Sequence, residues 1–177
     1  MTNNRDMAAA PPEVSLEIAN RQDEPVLANL LELYIHDLSE AFAVDIRADG
    51  RFGYNVGRYW NEPDRRYPFL IRANGRLAGF ALIQRGSPAT DDPADLDIAE
   101  FFVLRRHRRS GVGRLAARQL WDRMPGHWVV RVSNGNLPAL PFWRAVIEDY
   151  TGGAFSEEQR PGSPHSWTVL QLNSPRR

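Results

Sequence analysis

Val14-Ser15-Leu16-Glu17-Ile18 alternates apolar and polar positions, the period of a half-buried strand. The period then changes. Asp23-Glu24-Pro25 supplies a cap, an acidic first turn and an early proline, and Val26, Leu27, Leu30, Leu31, Leu33 and Tyr34 recur at helical spacing toward Leu38. This predicts a helix ending near Ser39. Residues 40–64 mix aromatics with glycine and charge and predict a loop with a short helix. Tyr67–Arg72 and Leu77–Gln84 read as two strands around Ala73-Asn74-Gly75-Arg76, where Asn-Gly is a strong hairpin signal. Residues 86–95 are a polar, proline-bearing loop, and Asp97–Leu104, DIAEFFVL, is apolar enough to lie inside a sheet. A helix over Val112–Met124 is stopped by Pro125-Gly126; a strand His127–Val132, a helix Pro138–Ile147, a turn at Thr151-Gly152-Gly153 and a strand Trp167–Leu172 complete the chain.

That order predicts an α/β domain with a mixed, mostly antiparallel sheet of about six to seven strands and about four helices. Residues 1–13 show no periodicity and read as a disordered N-terminal tail, with one domain over 14–177.

Composition then removes chemistries. No cysteine is present, which excludes thiol nucleophiles, thiolate metal sites and disulfides. All 22 basic residues are arginine, so lysine Schiff-base chemistry is absent as well. The formal net charge is zero, which argues against nucleic acid or an anionic membrane as a partner drawn by global charge. His107 and His127 have no partners at metal-ligand spacing, so no metal is expected. No apolar run approaches the roughly 20 residues of a membrane span, and the N-terminus has no signal-peptide core, which makes the cytoplasm the expected location.

The charge is nevertheless local in one place. RRHRRSGVGRL, Arg105 to Leu115, sets five arginines around two glycines between a strand and a helix. A basic run alone is often only a solvated face. Glycines at a strand-to-helix turn, with backbone amides aimed from the helix start, instead suit a diphosphate. The spacing matches neither a Walker A loop nor the Gly-x-Gly-x-x-Gly of dinucleotide folds.

AEFFVLRRHRRSGVG followed by a strand and then NLPALPFW resembles the GNAT superfamily of acyl-CoA-dependent N-acetyltransferases. The Arg/Gln-x-x-Gly-x-Gly/Ala signature falls on Arg108, Gly111 and Gly113. The preceding strand is similar to that of the spermidine/spermine N-acetyltransferase branch. A second signature, Asn-x-x-Ala/Ser-x-x-Phe-Tyr, is met at Asn136, Ala139 and Phe142 but has Trp143 where tyrosine is usual. YIHDLSEAF, PFLIRANGRLAGFALI and FWRAVIEDYTGG are also similar to a bacterial group within that superfamily.

The resemblance implies acetyl-CoA as co-substrate and a primary amine of a small molecule or peptide as acceptor, attacked directly in a ternary complex. The pantetheine would pair with backbone at Phe101, Phe102 and Val103, where one N–H would face the developing oxyanion. The diphosphate would sit over Arg108, Arg109, Ser110, Gly111, Val112, Gly113 and Arg114, and Asn136, Phe142 and Trp143 would wall the thiol. Tyr34 and Asp37, near His36 and Glu40, fall where the family lines its acceptor site. Glu100, an acid on an apolar strand, is the expected base; pairing with an arginine, or a wet groove, is the structural alternative. Trp143 has no phenol to act as acid, and Tyr150 is the nearest substitute in sequence. Tyr54, Tyr59 and Trp60 are expected in packing. Three other readings stay open: another activated acyl donor such as a longer acyl-CoA or aminoacyl-tRNA, a CoA-binding module without turnover, and nucleic-acid binding through the arginines. Dimerisation is common in that superfamily, so a homodimer is compatible with the resemblance.

Overall fold

A computed structural model of the protein describes residues 10–163 and 165–175. The strands are β1 (Val14–Ile18), β2 (Arg66–Ala73), β3 (Arg76–Arg85), β4 (Leu96–Val103), β5 (Gly126–Ser133), β6 (Phe155–Arg160) and β7 (Trp167–Ser174). The α-helices are α1 (Glu24–Leu38), α2 (Arg58–Asn61), α3 (Val112–Arg123) and α4 (Ala139–Thr151), with 3₁₀ turns at Arg21–Asp23 and Arg105–His107. The strands form one seven-stranded sheet in the order β1-β2-β3-β4-β5-β7-β6, antiparallel throughout except for β4 against β5.

The β2–β3 turn is the two-residue Asn74-Gly75 link, with φ of 50° and 73°, the left-handed pair that matches the twist of the flanking strands. Leu27, Leu30 and Leu31 of α1 pack with Leu70, Phe80, Leu82 and Phe102 on one face of the sheet. On the other face Leu120 and Trp121 of α3 and Val146 and Ile147 of α4 close over Phe69, Ile83, Trp128 and Leu170. At the sheet edge, α3 covers β1, with Gln119 Nε2 donating to the Val14 carbonyl at 2.7 Å.

Three details differ from the sequence expectations. β6 is an added edge strand: FSEEQR carries no apolar alternation because its middle four residues are exposed and β7 alone pairs with it. α4 runs on to Thr151, where Gly152 at φ 64° ends it. Of the tail expected over 1–13, residues 1–9 lie outside the described residues. Glu13, however, is tied to the hairpin, since its N–H donates to Asn74 Oδ1 at 2.9 Å and its carbonyl accepts from Asn74 N–H at 2.8 Å. Among the described residues no helix is long and apolar enough to cross a membrane.

Candidate functional site

The parallel pair β4–β5 is the centre of the site. It is hydrogen-bonded only over Leu96–Ile98 against Trp128–Val130. On its other side β4 pairs Ile98 with Ile83 and Glu100 with Leu82, leaving Ala99 as an extra residue. A bulge of this kind bends the bulged strand and re-aims its side chains. Beyond it β4 and β5 part, each keeping its outer neighbour, and the freed inner edges face one another across a cleft.

A cavity of about 510 Å³ opens in that cleft. Ala99, Glu100 and Phe101 of β4 and Val130 to Ser133 of β5 form its floor, with Asn136 and Trp143 beside them. Tyr34, Ile35 and Leu38 at the end of α1, with Phe42, Val44 and Tyr54 from the following loop, form the opposite wall. Trp167, paired with Ser133 at the start of β7, extends the floor, and Ser163 and His165 complete the lining.

Glu100 is partly buried there, and both carboxylate oxygens are held. Tyr34 donates to Oε2 at 2.7 Å and Tyr54 to Oε1 at 3.2 Å. The Tyr54 oxygen in turn accepts from Arg58 Nη2 at 2.9 Å. Burial pushes the Glu100 carboxyl above its usual range, and the two phenol hydrogen bonds only partly offset this. The same burial, with the Glu100 charge alongside, raises Tyr34 and Tyr54 well above an ordinary phenol, so both remain neutral donors. Beneath them Asp97, fully buried, accepts from Arg131 Nε at 2.7 Å and Nη2 at 2.9 Å and from Ser87 Oγ at 2.6 Å. This bidentate pair fixes a guanidinium in the floor where the strands part.

The arginine turn lies at the end of β4. Arg109 and Gly111 have φ of 60° and 87°, and α3 starts at Val112. Arg109, Ser110, Gly111 and Arg114 line a shallow depression with Pro11, Leu115, Arg118 and Asp149. A Cβ on Gly111 would meet nothing within 4 Å, so the turn presents backbone to open space. A Cβ on Gly113 would lie 3.1 Å from the Phe142 ring, so this glycine lets α3 and α4 approach. A helix start with cationic flanks fits a diphosphate.

Sequence-selected residues thus fall into groups. Glu100, Phe101, Asn136, Trp143 and Tyr34 meet at the cavity, while Arg109, Ser110, Gly111 and Arg114 form the turn's surface. Val112 and Phe102 are buried, and Val103 and Phe142 pack around Gly113. Arg108 faces away from the depression: its Nε donates to the Val103 carbonyl at 2.7 Å and its Nη2 pairs with Asp37. Asp37 also accepts from Arg105 Nε at 3.0 Å. Asp37, expected at the acceptor site, is thus paired with these arginines and is not among the residues lining the cavity; it ties the end of α1 to the turn.

Tyr150 is likewise not brought to the cavity. It lies two turns beyond Trp143 on α4, its hydroxyl donates to Asp122 Oδ1 at 3.0 Å, and it is 3.0 Å from Ser174 Oγ. Trp143 packs against Phe101 and Phe142 with ring centroids 5.0 Å away in each case. Sequence reasoning assigned Tyr54 to packing and passed over Arg58, Arg131, His165 and Trp167. Arg131, a charge in the apolar strand β5, and Asp97, an acid on the same apolar strand as Glu100, carried the signal that singled out Glu100. Among the described residues no group of histidine, aspartate or glutamate is arranged to hold a metal ion.

A sheet parted at a parallel pair, a helix-start anion turn on one strand and a held carboxylate in the cleft define an acyl-CoA-dependent acyltransferase. Residues 28–146 match the family model described as "Acetyltransferase (GNAT) family", and the chain belongs to that family. No curated protein matches the sequence significantly. Among solved structures, an acetyltransferase from Thermus thermophilus is 19% identical with a TM-score of 0.65, over 90% of this chain and 96% of that one. The ribosomal-protein-S18-alanine N-acetyltransferase of Escherichia coli is 16% identical with a TM-score of 0.60, over 93% and 96%. Spermidine N-acetyltransferase from Vibrio cholerae, solved with CoA and spermine, is 12% identical with a TM-score of 0.63, over 91% and 95%. At such identities the likeness is one of fold.

Proposed function

We propose that the protein transfers an acetyl group from acetyl-CoA to a primary amine, by direct attack with both substrates bound. One observation carries this: Glu100 stands in the same cleft as the freed edge of β4, and that strand leads directly into the Arg108–Arg114 turn. Bound acetyl-CoA supplies an activated thioester. The chain's own residues do the rest.

The turn holds the diphosphate through backbone N–H groups at the start of α3, with Arg109 and Arg114 adding charge. Arg108 and Asp37 keep that turn on the end of β4. Glu100 accepts the proton that the ammonium must lose, and its raised pKa brings it closer to the working pH of a general base. Tyr34 and Tyr54 fix the carboxylate's orientation. Trp143 walls the thiol end and donates no titratable proton, so the thiolate leaves as the anion. The same indole motivates a second reading, a donor-binding module without turnover.

Calorimetry with acetyl-CoA and CoA, followed by thiol release over a panel of amines, tests both. Binding of both ligands is expected, weakened at least tenfold by Gly111→Asp, which adds a negative charge and strain at φ 87°. Binding of neither ligand by the native protein overturns the proposal; binding with no thiol release from any amine favours the second reading.

A further inference from the structure

The charge inside the cavity limits which amine can enter. Among the described lining residues Glu100 is the one carboxylate. Two guanidinium groups already stand behind it: Arg58 hydrogen-bonds the Tyr54 phenol that holds Oε1, and Arg131 lies in the floor. Arg131 is matched by Asp97, which is fully buried beneath it and offers the cavity no free charge. Asp37, the other acid expected near an acceptor, is occupied by Arg105 and Arg108. The cavity can therefore neutralise one ammonium. A second held inside the cavity would be desolvated beside guanidinium groups with no further carboxylate among the lining residues to meet it.

The wall opposite β4 has the complementary character. Leu38, Phe42 and Val44 present apolar surface, and Trp167, beside Ser133 in the sheet, adds an indole to the lining with the Arg131 guanidinium 5.9 Å from its ring. Val44 and Trp167 remain 41% and 36% exposed, so the apolar surface continues to the mouth and is not spent on the protein's own core. The volume, about 510 Å³, is that of a small-molecule pocket, in the range of roughly 300–1,000 Å³, and the acetyl end of the donor must share it.

Resting on the acetyltransferase reading above, we propose that the acceptor is a small monoamine with an apolar or aromatic body. Its nitrogen lies against Glu100, and its body lies between Phe42, Val44 and Trp167. Polyamines and aminoglycosides are disfavoured because their further ammonium groups find no partner. A peptide N-terminus is disfavoured because its polar backbone meets a largely apolar wall.

The test is a competition of acceptors on the full-length protein. 2-Phenylethylamine, hexylamine, spermidine, kanamycin and an alanine-initiated hexapeptide are compared by kcat/KM in thiol release from acetyl-CoA. The two monoamines are expected to exceed each of the other three at least tenfold. In Val44→Asp, which adds a carboxylate at an exposed position of the wall, the ratio of spermidine to 2-phenylethylamine should rise at least fivefold. Spermidine, kanamycin or the peptide equalling the monoamines overturns the inference while acetyl transfer itself stands. Calorimetry of the same acceptors on the CoA-saturated protein reads the preference without turnover. If that order holds and no thiol is released, acetyl transfer fails and the monoamine site survives; if no acceptor binds or reacts, both fall.

Discussion

Replacing Glu100 by glutamine removes one charge from the cleft and, with one oxygen exchanged for an amide nitrogen, the acceptor of the Tyr54 hydrogen bond. The amide has nearly the carboxylate's shape, and its oxygen can still accept from Tyr34, which now donates at 2.7 Å. What is lost is the ability to take a proton from the amine. A positioned general base contributes about two to four orders of magnitude, or about 3–5.5 kcal/mol of barrier at 1.36 kcal/mol per tenfold. We expect kcat/KM for the amine to fall at least 100-fold in Glu100→Gln, with acetyl-CoA affinity unchanged because the phosphate turn lies apart from Glu100. The pH profile separates this from indirect damage. Only the carboxylate can accept a proton, so the native kcat/KM should climb as pH rises through the elevated pKa of Glu100. The variant should lose that limb and keep the one set by the amine.

Stability gives an independent sign. A carboxyl whose folded pKa is raised stabilises the fold below its unfolded pKa, and that contribution is lost as pH rises through the folded value. Glu100→Gln should therefore melt within a few degrees of the native protein at pH 8, the lost Tyr54 bond offsetting the removed charge, and fall further behind it toward pH 4. Thiol-release kinetics and calorimetric melting measure the two effects. A rate within threefold of native, or a variant markedly less stable at pH 8, would refute the argument.

Two further substitutions probe the supports. Asp97→Asn leaves the Arg131 guanidinium, 20% exposed at its side chain, without its counter-charge. Breaking a buried pair costs roughly 3–5 kcal/mol, so scanning calorimetry should show Tm lower by on the order of 10 °C. Tyr150→Phe should leave kcat within twofold of native, because its hydroxyl serves Asp122 and Ser174 rather than the cavity. It should cost about 1 kcal/mol in a denaturant melt, and a large fall in kcat would return Tyr150 to the chemistry.

Period and turn chemistry made most of the fold legible. The alternation at Val14–Ile18, the Asn74-Gly75 turn and the Pro125-Gly126 stop after α3 are local signals that the tertiary structure obeys. β6 was invisible because an edge strand whose middle four residues are exposed needs no apolar alternation; its place is set by the strand beside it. The site divides along the same line. The Arg108–Arg114 turn is contiguous, so sequence spacing shows it whole. The cavity wall is assembled from residues far apart in sequence, as when Tyr34, Tyr54 and Glu100 share one carboxylate.

The two misplaced residues show where proximity in sequence fails as a guide. Asp37 is only three residues from Tyr34, nearly one helical turn, yet Tyr34 reaches Glu100 while Asp37 reaches Arg105 and Arg108. Tyr150 is seven residues from Trp143, and two turns of helix at 1.5 Å per residue carry it about 10 Å along α4. There it meets the ends of α3 and β7 instead of the thiol. Tyr150 thus stands outside the residues that line the cavity. In the proposed mechanism the chemistry then rests on Glu100, whose carboxylate is held at both oxygens by Tyr34 and Tyr54.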